Sequence, residues 1–306
     1  MILIISHKDD FTTDYIVNKL NERKVKYLRF NTDDIEQKHR LTFEISDSNI
    51  KASIDGYESF NSAWFRRTKS PLIGLESIIE QEVFRNDYSA FLKSFWKIIG
   101  VKKWLSNPEK ISIAENKLAQ LKMATEIGLN VPNTQISNKI ESVNEFINHN
   151  KKNVIVKPFF SGRLSDGHEQ KLIFTNELNL DDINEDYFLF PIFFQNNLEK
   201  DFELRITVVG DKVFPAKVNS QSTMSTKIDW RRDRLKFEKA YLPPEIESHC
   251  VKLIKLFDLK FGAIDMVKTQ SGEYIFLEMN PNGQWVWIEA DTGLKISDEI
   301  IKFLMN

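Results

Sequence analysis

The sequence predicts an α/β fold made of α+β lobes, with at least two lobes in the chain. Three observations carry that expectation. A length of 306 residues corresponds to roughly two domains of about 150 residues each. Strand-like runs and helical periodicities follow one another in mixed order. Glycine (11) and proline (9) are scarce, so each one marks a place where the backbone requires it. Hydrophobic residues at 42% supply a sizeable core, and 42 Lys+Arg against 44 Asp+Glu leave a formal charge of −2. That balance argues against a partner held by bulk nucleic-acid charge, while leaving room for a local basic pocket. The single cysteine, Cys250, excludes an internal disulfide framework and a four-cysteine zinc site, and reads as a buried helix residue. Met1 runs into Ile2-Leu3-Ile4-Ile5 and at once into His7-Lys8-Asp9-Asp10, too short an apolar run for a signal peptide. No stretch approaches the roughly 18 apolar residues of a membrane span. The expectation is a cytoplasmic protein with neither a membrane nor a nucleic-acid partner.

Taken in order, residues 2–6 read as a buried strand, and Tyr15, Ile16 and Leu20 recur at helical spacing. A β-prone run covers 25–30, and alternation over 41–45 and 50–54 predicts a hairpin turning near 47–49. Ala63-Trp64-Phe65 leads into Arg66-Arg67. The segment 74–101 is helical in pattern, and its aromatic stripe (Phe84, Tyr88, Phe91, Phe95, Trp96) reads as core. A second region opens near Asn107-Pro108 with a helix over 113–127, closed by Gly128. Strands are expected over 153–157, 188–194, 204–209 and 213–218, then a polar loop over 219–226. A helix over 244–256, strands over 261–269 and 274–279 joined at Ser271-Gly272, and a helix over 297–304 complete the chain.

The last hairpin carries the strongest chemical signal. Glu278 and Asn280 are two apart and share a strand face, and the turn folds Asp265 back beside them. Two carboxylates and an amide oxygen form a hard oxygen site suited to Mg²⁺ bound together with substrate phosphates. The plainer alternative is a solvated polar hairpin. The apolar runs on both strands oppose it, since uncompensated charge there is costly. Lys157 ends a strand beside a loop carrying Ser161-Gly162-Arg163 and Asp166-Gly167, an arrangement able to hold phosphates. The GxxxxGK[ST] pattern is absent. Lys117 is the other phosphate candidate, and each lysine taken alone would more often be a surface residue.

In this order, Lys117, Lys157, Phe194-Gln195, Glu203 and the triad Asp265, Glu278, Asn280 resemble the ATP-grasp superfamily of carboxylate–amine ligases. The chain resembles most closely the graspetide (microviridin-type) branch, whose members crosslink ribosomally made precursor peptides. The residues that carry this likeness are Ser6-His7-Lys8-Asp9-Asp10-Phe11, Trp64-Phe65-Arg66-Arg67, the stretch from Glu203 to Gly210, and Asp229-Trp230-Arg231-Arg232. Gly262-Ala263-Ile264-Asp265 and the run from Glu278 to Trp285 complete it, with Asn280-Pro281-Asn282-Gly283-Gln284-Trp285 the most specific piece.

The resemblance implies an N-terminal pre-ATP-grasp α/β domain (1–112), a central ATP-grasp lobe (113–192) and a C-terminal lobe (193–306), with ATP clamped between the last two. It implies that Lys117 and Lys157 contact phosphates, that Gln195, Asn197 and Leu198 line adenine, and that Glu203 accepts the ribose hydroxyls. Asp265, Glu278 and Asn280 would hold Mg²⁺. Arg67 and Arg232, with Lys217, are expected to hold the acceptor carboxylate, and Arg205 or Arg231 to face phosphate; at least one of the five arginines Arg66, Arg67, Arg205, Arg231 and Arg232 is expected to be only a surface ion pair. The partner implied is a precursor peptide with a leader and an acidic, Thr/Ser/Lys-bearing core. Asp181 and Asn184, in an acidic stretch at 178–186, are candidates for docking the leader, against the plainer reading of a solvated turn. A homodimer stays open. Two other functions are weighed: a ligase adding an amino acid to a small acid or a protein tail, and a non-catalytic nucleotide-dependent peptide-binding module. The complete set of lysines and metal ligands speaks against the module.

Overall fold

The computed structural model describes the chain except residues 35–37, 48, 72–73, 160–162, 166–169, 173 and 180–188. The N-terminal part contains β1 (Ile2–Ser6), α1 (Phe11–Glu22), β2 (Tyr27–Asn31), β3 (Leu41–Ser46), β4 (Asn49–Ile54), β5 (Ser59–Phe60), β6 (Ser62–Phe65), α2 (Ile78–Ile98) and β7 (Gly100–Val101). Strand β1 is buried along its whole length because it is the middle strand of a parallel sheet ordered β2-β1-β6. Asp10 starts α1, its carboxylate accepting from the Thr12 and Thr13 backbone N–H groups. The stripe on α2 is core as its spacing suggests: Tyr88, Leu92, Phe95 and Trp96 pack on Leu3, Ile5 and Phe30.

The helix expected over 113–127 is two helices, α3 (Pro108–Ala114) and α4 (Lys117–Glu126). The break has a local cause. The Asn116 side chain accepts from the Ala119 N–H and so opens a new helix, just as Asn107 caps α3 ahead of Pro108. Gly128, at φ +96°, ends α4 as expected. Next come β8 (Thr134–Ser137), α5 (Ile140–His149), β9 (Val154–Lys157), β10 (Arg163–Ser165), β11 (Gln170–Leu172), β12 (Asn176–Glu177) and β13 (Ile192–Asn196). An antiparallel sheet ordered β12-β9-β13-β8 packs Val154 and Phe194 against Val143 and Ile147 of α5. The strand expected over 188–194 is β13, which starts at Ile192, and residue 188 lies outside the described residues.

The remaining elements are β14 (Lys200–Val209), β15 (Lys212–Val218), β16 (Glu238–Lys239), α6 (Pro244–Leu256), β17 (Phe261–Thr269), β18 (Tyr274–Asn280), α7 (Val286–Thr292) and α8 (Ile296–Met305). Five strands form an antiparallel sheet ordered β16-β15-β14-β17-β18. Cys250, Leu253 and Ile254 of α6 cover one face of it, against Ile206, Val208 and Ile264, so Cys250 is a buried helix residue. Its other face and α8 share a core with the N-terminal part: Ile300, Ile301 and Leu304 pack with Ile2, Ile4 and Trp64. The Ser62 hydroxyl donates to the Leu304 carbonyl at 2.6 Å across this junction. Among the described residues no helix is long and apolar enough to cross a membrane.

Candidate active site

Strand register assembles the site. Arg205 on β14 lies opposite Asp265 on β17, and Asp265 lies opposite Glu278 on β18. The register then slips: Met266 pairs with Phe276, leaving Leu277 as an extra residue on β18. A bulge of this kind re-aims neighbouring side chains. Leu277 and Glu278 accordingly both line one cavity, with Lys117, Lys157 and Asp265. Further along that wall come Gln195, Asn197, Leu198, Lys200 and Glu203. All six residues expected to contact the nucleotide therefore stand around a single space between the central and C-terminal sheets.

Charges here are mutually arranged. Lys117 Nζ lies 3.3 Å from Glu278 Oε2 and donates to the Pro158 carbonyl at 3.0 Å. Burial works against the charge of Glu278, but Lys117, Lys157 and Arg231 outweigh it and hold that carboxyl below its ordinary range. Burial pushes Asp265 up to about 6, Glu278 adds to the shift, and Arg205 opposes it through contacts of 3.0 and 2.8 Å to both carboxylate oxygens. Lys157 is pushed down to about 8, by burial first and then by Lys117 and Lys200, while Glu278 and Glu203 pull the other way. A buried lysine whose charge is disfavoured in this way, lining a cavity, is poised for an anion. Lys200, which sequence reasoning missed for lack of any motif around it, holds Glu203 at 2.9 Å and also donates to the Ile228 carbonyl at 3.0 Å.

A second, larger cleft of about 1670 Å³ shares Asp265 and Glu278 with the first cavity and adds Asn280, Arg67, Arg205 and Arg231 to its wall. Asp265, Glu278 and Asn280 are thus brought together, at the seam between the two spaces. The cations divide. Arg231 lines both spaces and is held charged by Asp229, to which its Nε donates at 2.8 Å. Asp229 is the residue that aims it, and sequence reasoning had placed Asp229 in a motif without a role. Arg205 is committed to Asp265 and so is no free-standing phosphate ligand. Two of the expected residues stand apart from both spaces. Lys217 lines neither space; it sits over the Phe202 ring and 3.4 Å from Glu238 because β15 pairs with β16 at that position. Arg232 lines neither space either. Its Nη2 donates to the Thr175 carbonyl at 2.9 Å and to Asn176 Oδ1 at 2.6 Å, and its guanidinium lies over the Phe174 ring. Asp181 and Asn184 lie outside the described residues.

Residues 114–304 match the RimK-like ATP-grasp domain family, and residues 1–112 match the MvdD pre-ATP grasp domain. The chain belongs to the RimK-like ATP-grasp family. Solved structures agree with it. A RiPP-associated ATP-grasp ligase of Chryseobacterium gregarium, in complex with ADP and a leader and core peptide, is 28% identical and superposes with a TM-score of 0.89 over 99% of this chain and 96% of that one. Macrocyclase MdnC of Microcystis aeruginosa, bound with precursor peptide MdnA, is 28% identical with a TM-score of 0.84, covering 100% and 99% of the two chains. Macrocyclase MdnB of the same organism is 27% identical with a TM-score of 0.81, covering 99% and 98%. No curated protein matches the chain by sequence.

Enzymes of the ATP-grasp family use ATP and Mg²⁺, and this ligase's own residues fit both. Gln195 Oε1 and Asn196 Oδ1 are buried acceptors without a partner among the described residues, at the wall where an adenine amino group would supply the missing N–H. Lys157 lines the cavity with its ammonium disfavoured by burial, Lys117 and Lys200 despite Glu278 and Glu203, so a phosphate would favour its charge, and Asp265, Glu278 and Asn280 offer the hard oxygen donors Mg²⁺ prefers. The nucleotide cavity holds only about 70 Å³ of free space, well below the roughly 300 Å³ at the small end of ligand sites. Ile228, Asp229, Trp230 and Arg231 form one side of it, on the strand-linking segment that Arg232 fastens to the central sheet. The strap closes that side of the cavity, while at Asp265 and Glu278 the cavity meets the larger cleft. Arg232→Ala is expected to raise the ADP dissociation rate several-fold in stopped-flow displacement, with the fold unchanged by circular dichroism; an unaltered rate would remove the latch role.

Proposed function

We propose that the protein is an ATP-dependent ligase that activates side-chain carboxylates of a ribosomally made precursor peptide as acylphosphates. It then joins them to Thr, Ser or Lys side chains as intramolecular esters or amides. One observation carries this reading: the nucleotide cavity opens, at Asp265 and Glu278, into a cleft large enough for a peptide chain and lined by arginines. The two likenesses at 28% identity whose partners include peptides support it.

The chemistry follows from the arrangement. A carboxylate oxygen of the peptide attacks the γ-phosphorus of ATP, and ADP leaves with the bond's electron pair. Lys117 and Lys157 neutralise the phosphates while this happens. Asp265, Glu278 and Asn280 would hold Mg²⁺, which would supply further charge neutralisation and orientation. The hydroxyl or amine of the second side chain attacks the acyl carbon. Phosphate departs with the electron pair and carries away the nucleophile's proton. Arg231, aimed by Asp229 between both spaces, is placed to stabilise the departing phosphate. Arg67, on the wall of the cleft only, is assigned the acceptor carboxylate. A leader segment held away from the reacting ends would position the core, and the acidic stretch containing Asp181 and Asn184 is the proposed dock for it.

The test is to incubate the enzyme with ATP, Mg²⁺ and a precursor bearing a leader and an acidic, Thr/Ser/Lys-containing core, and to weigh the product. Loss of one water per link is expected. Arg67→Ala is expected to leave ATP affinity intact and to cut the ligation rate by the equivalent of about 1 kcal/mol, the upper end for an ion pair at an exposed side chain. A gain in mass from an added amino acid would favour the small-acid or protein-tail ligase. Peptide binding without ADP formation would favour the non-catalytic module.

A further inference from the structure

Arg66 is one of the largest side chains wholly withdrawn from solvent, at 0% exposure, and nothing assigned so far to the reaction uses it. It follows β6, where its N–H donates to the Ile5 carbonyl at 2.8 Å and so extends the N-terminal sheet by one residue. Burying a guanidinium is costly unless it is paired and hydrogen-bonded. Burial lowers its pKa to about 10, and the Asp10 carboxylate opposes the shift. Asp10 lies 3.5 Å from Arg66 Nε and is itself held by the Ser6 hydroxyl at 2.8 Å and the Thr13 hydroxyl at 3.0 Å.

The other end of the guanidinium leaves the N-terminal domain altogether. Its Nη1 donates to the Asn282 carbonyl at 3.2 Å, Asn282 Oδ1 at 3.0 Å and the Gly283 carbonyl at 3.4 Å, and its Nη2 to Gln284 Oε1 at 3.4 Å. The Thr12 hydroxyl, from the first turn of α1, donates to the same Gln284 oxygen. These residues form the turn that leaves β18. That turn in turn holds Asn280: the Asn282 N–H donates to Asn280 Oδ1 at 3.1 Å and the Gly283 N–H to the Asn280 carbonyl at 3.2 Å. On its far side Arg205, already bound to Asp265, donates to the Gln284 carbonyl at 3.4 Å. The packing leaves no slack, since a Cβ on Gly283 would fall 2.6 Å from Ala263 Cβ and 2.7 Å from Arg205 Nη2.

We propose that Arg66 is a positioning residue, by which the N-terminal domain fixes the Asn280–Gln284 turn and thereby the amide oxygen that Asn280 presents to Mg²⁺. The proposal rests on the assignment of Asn280 as a metal ligand. It gives the N-terminal domain a part in the phosphoryl-transfer end of the reaction, besides lining the peptide cleft. Lysine at this position keeps the charge but has no planar fork to serve four acceptor atoms on the turn.

The experiment compares parent, Arg66→Lys, Asn282→Ala and Asn280→Ala by titration of Mn²⁺ into the full-length enzyme saturated with ADP, read by electron paramagnetic resonance. Hydrogen exchange of the 280–285 segment is followed in the metal-free protein. Arg66→Lys and Asn282→Ala are expected to weaken Mn²⁺ by about tenfold, as loss of an outer-shell partner does. Both should speed exchange in that segment while metal-free ADP affinity stays within twofold of the parent. Parent-like Mn²⁺ affinity in Arg66→Lys, beside a weakened Asn280→Ala, overturns the proposal alone. An Asn280→Ala variant that binds Mn²⁺ as the parent does overturns the metal assignment and the proposal with it. If Arg66→Lys does not fold, Asn282→Ala decides by the same criterion, because it cuts the link from the turn's side and leaves Asp10 paired.

Discussion

Glu278→Gln is expected to abolish peptide-dependent ADP formation, by at least about a hundredfold in kcat, with little change in thermal stability. The substitution is nearly isosteric and removes one negative charge at the point where three cations converge. Lys117, Lys157 and Arg231 hold Glu278 ionised against its burial, so the charge is maintained by the site and not by solvent. Glutamine leaves an acceptor for Lys117 but not the anionic oxygen a hard cation requires. It also removes one of the two carboxylates that pull Lys157 toward its charged form. The phosphate end then loses a metal ligand and part of its positive charge together. Stability should change little, because the side chain is about 29% exposed and contributes to no apolar core. The check is a coupled ADP assay beside a melting curve. Turnover near the parent rate in a folded variant would show that Glu278 is not a ligand of the reacting metal.

Much of this geometry is legible in the sequence, for reasons that differ from element to element. The helix at Pro244–Leu256 and the strand at Phe261–Thr269 match their expected bounds, because tandem prolines and an apolar periodicity mark the first and an unbroken buried run marks the second. The metal hairpin is readable because its register is set by a tight turn at Ser271-Gly272, with Gly272 at φ +91°. The division at Asn116 is written in the sequence as a capping residue, but the apolar positions at Ile113, Leu118 and Leu121 run across it and suggest one helix. Strand β8, helices α5 and α7 and the bulge at Leu277 went unread. Strand β8 and helix α7 are short, α5 has no side-chain cap to mark its start, and the bulge depends on a partner strand.

The cations show where reading by type stops. Residue identity places Arg67, Arg205, Arg231, Arg232 and Lys217 in one class. Their roles differ because of what each faces: Asp265 claims Arg205, Asp229 aims Arg231, the Thr175 carbonyl takes Arg232, and Glu238 lies beside Lys217. Apart from Asp229, two residues from Arg231, those partners are far away in sequence or on strands whose pairing must first be known. Arg66, adjacent to Arg67, also borders the cleft but is wholly buried and bound to the turn after β18, whereas Arg67 is exposed.

Nucleotide affinity is expected to fall as pH rises through about 8, and Lys157 sets the direction. Its ordinary value is 10.5, and the folded protein lowers it to about 8 through burial and the neighbouring Lys117 and Lys200. A depressed lysine contributes stability that is present above about 10.5 and lost as pH falls through about 8, so at neutral pH its charge is a cost to the free protein. The phosphates of ATP or ADP offset that cost by favouring the ammonium. Binding therefore takes up a proton wherever free Lys157 is neutral, which is above its pKa. Glu278 and Glu203 are the carboxylates that moderate the shift, and Glu278 is held below its ordinary range and so stays ionised throughout. Calorimetric titration of ADP should give a constant Kd up to about pH 7.5, then weakening that approaches tenfold per unit above about 8. The heat should vary with buffer ionisation enthalpy only in the upper range, as proton uptake demands. ADP should raise the melting temperature more at pH 7 than at pH 9.5. Lys157→Arg, charged throughout, should bind ADP with an affinity nearly flat to pH 9.5, and Lys157→Met should bind weakly and without the upper slope. A parent enzyme whose ADP affinity is flat to pH 9.5 would place the nucleotide phosphates away from Lys157.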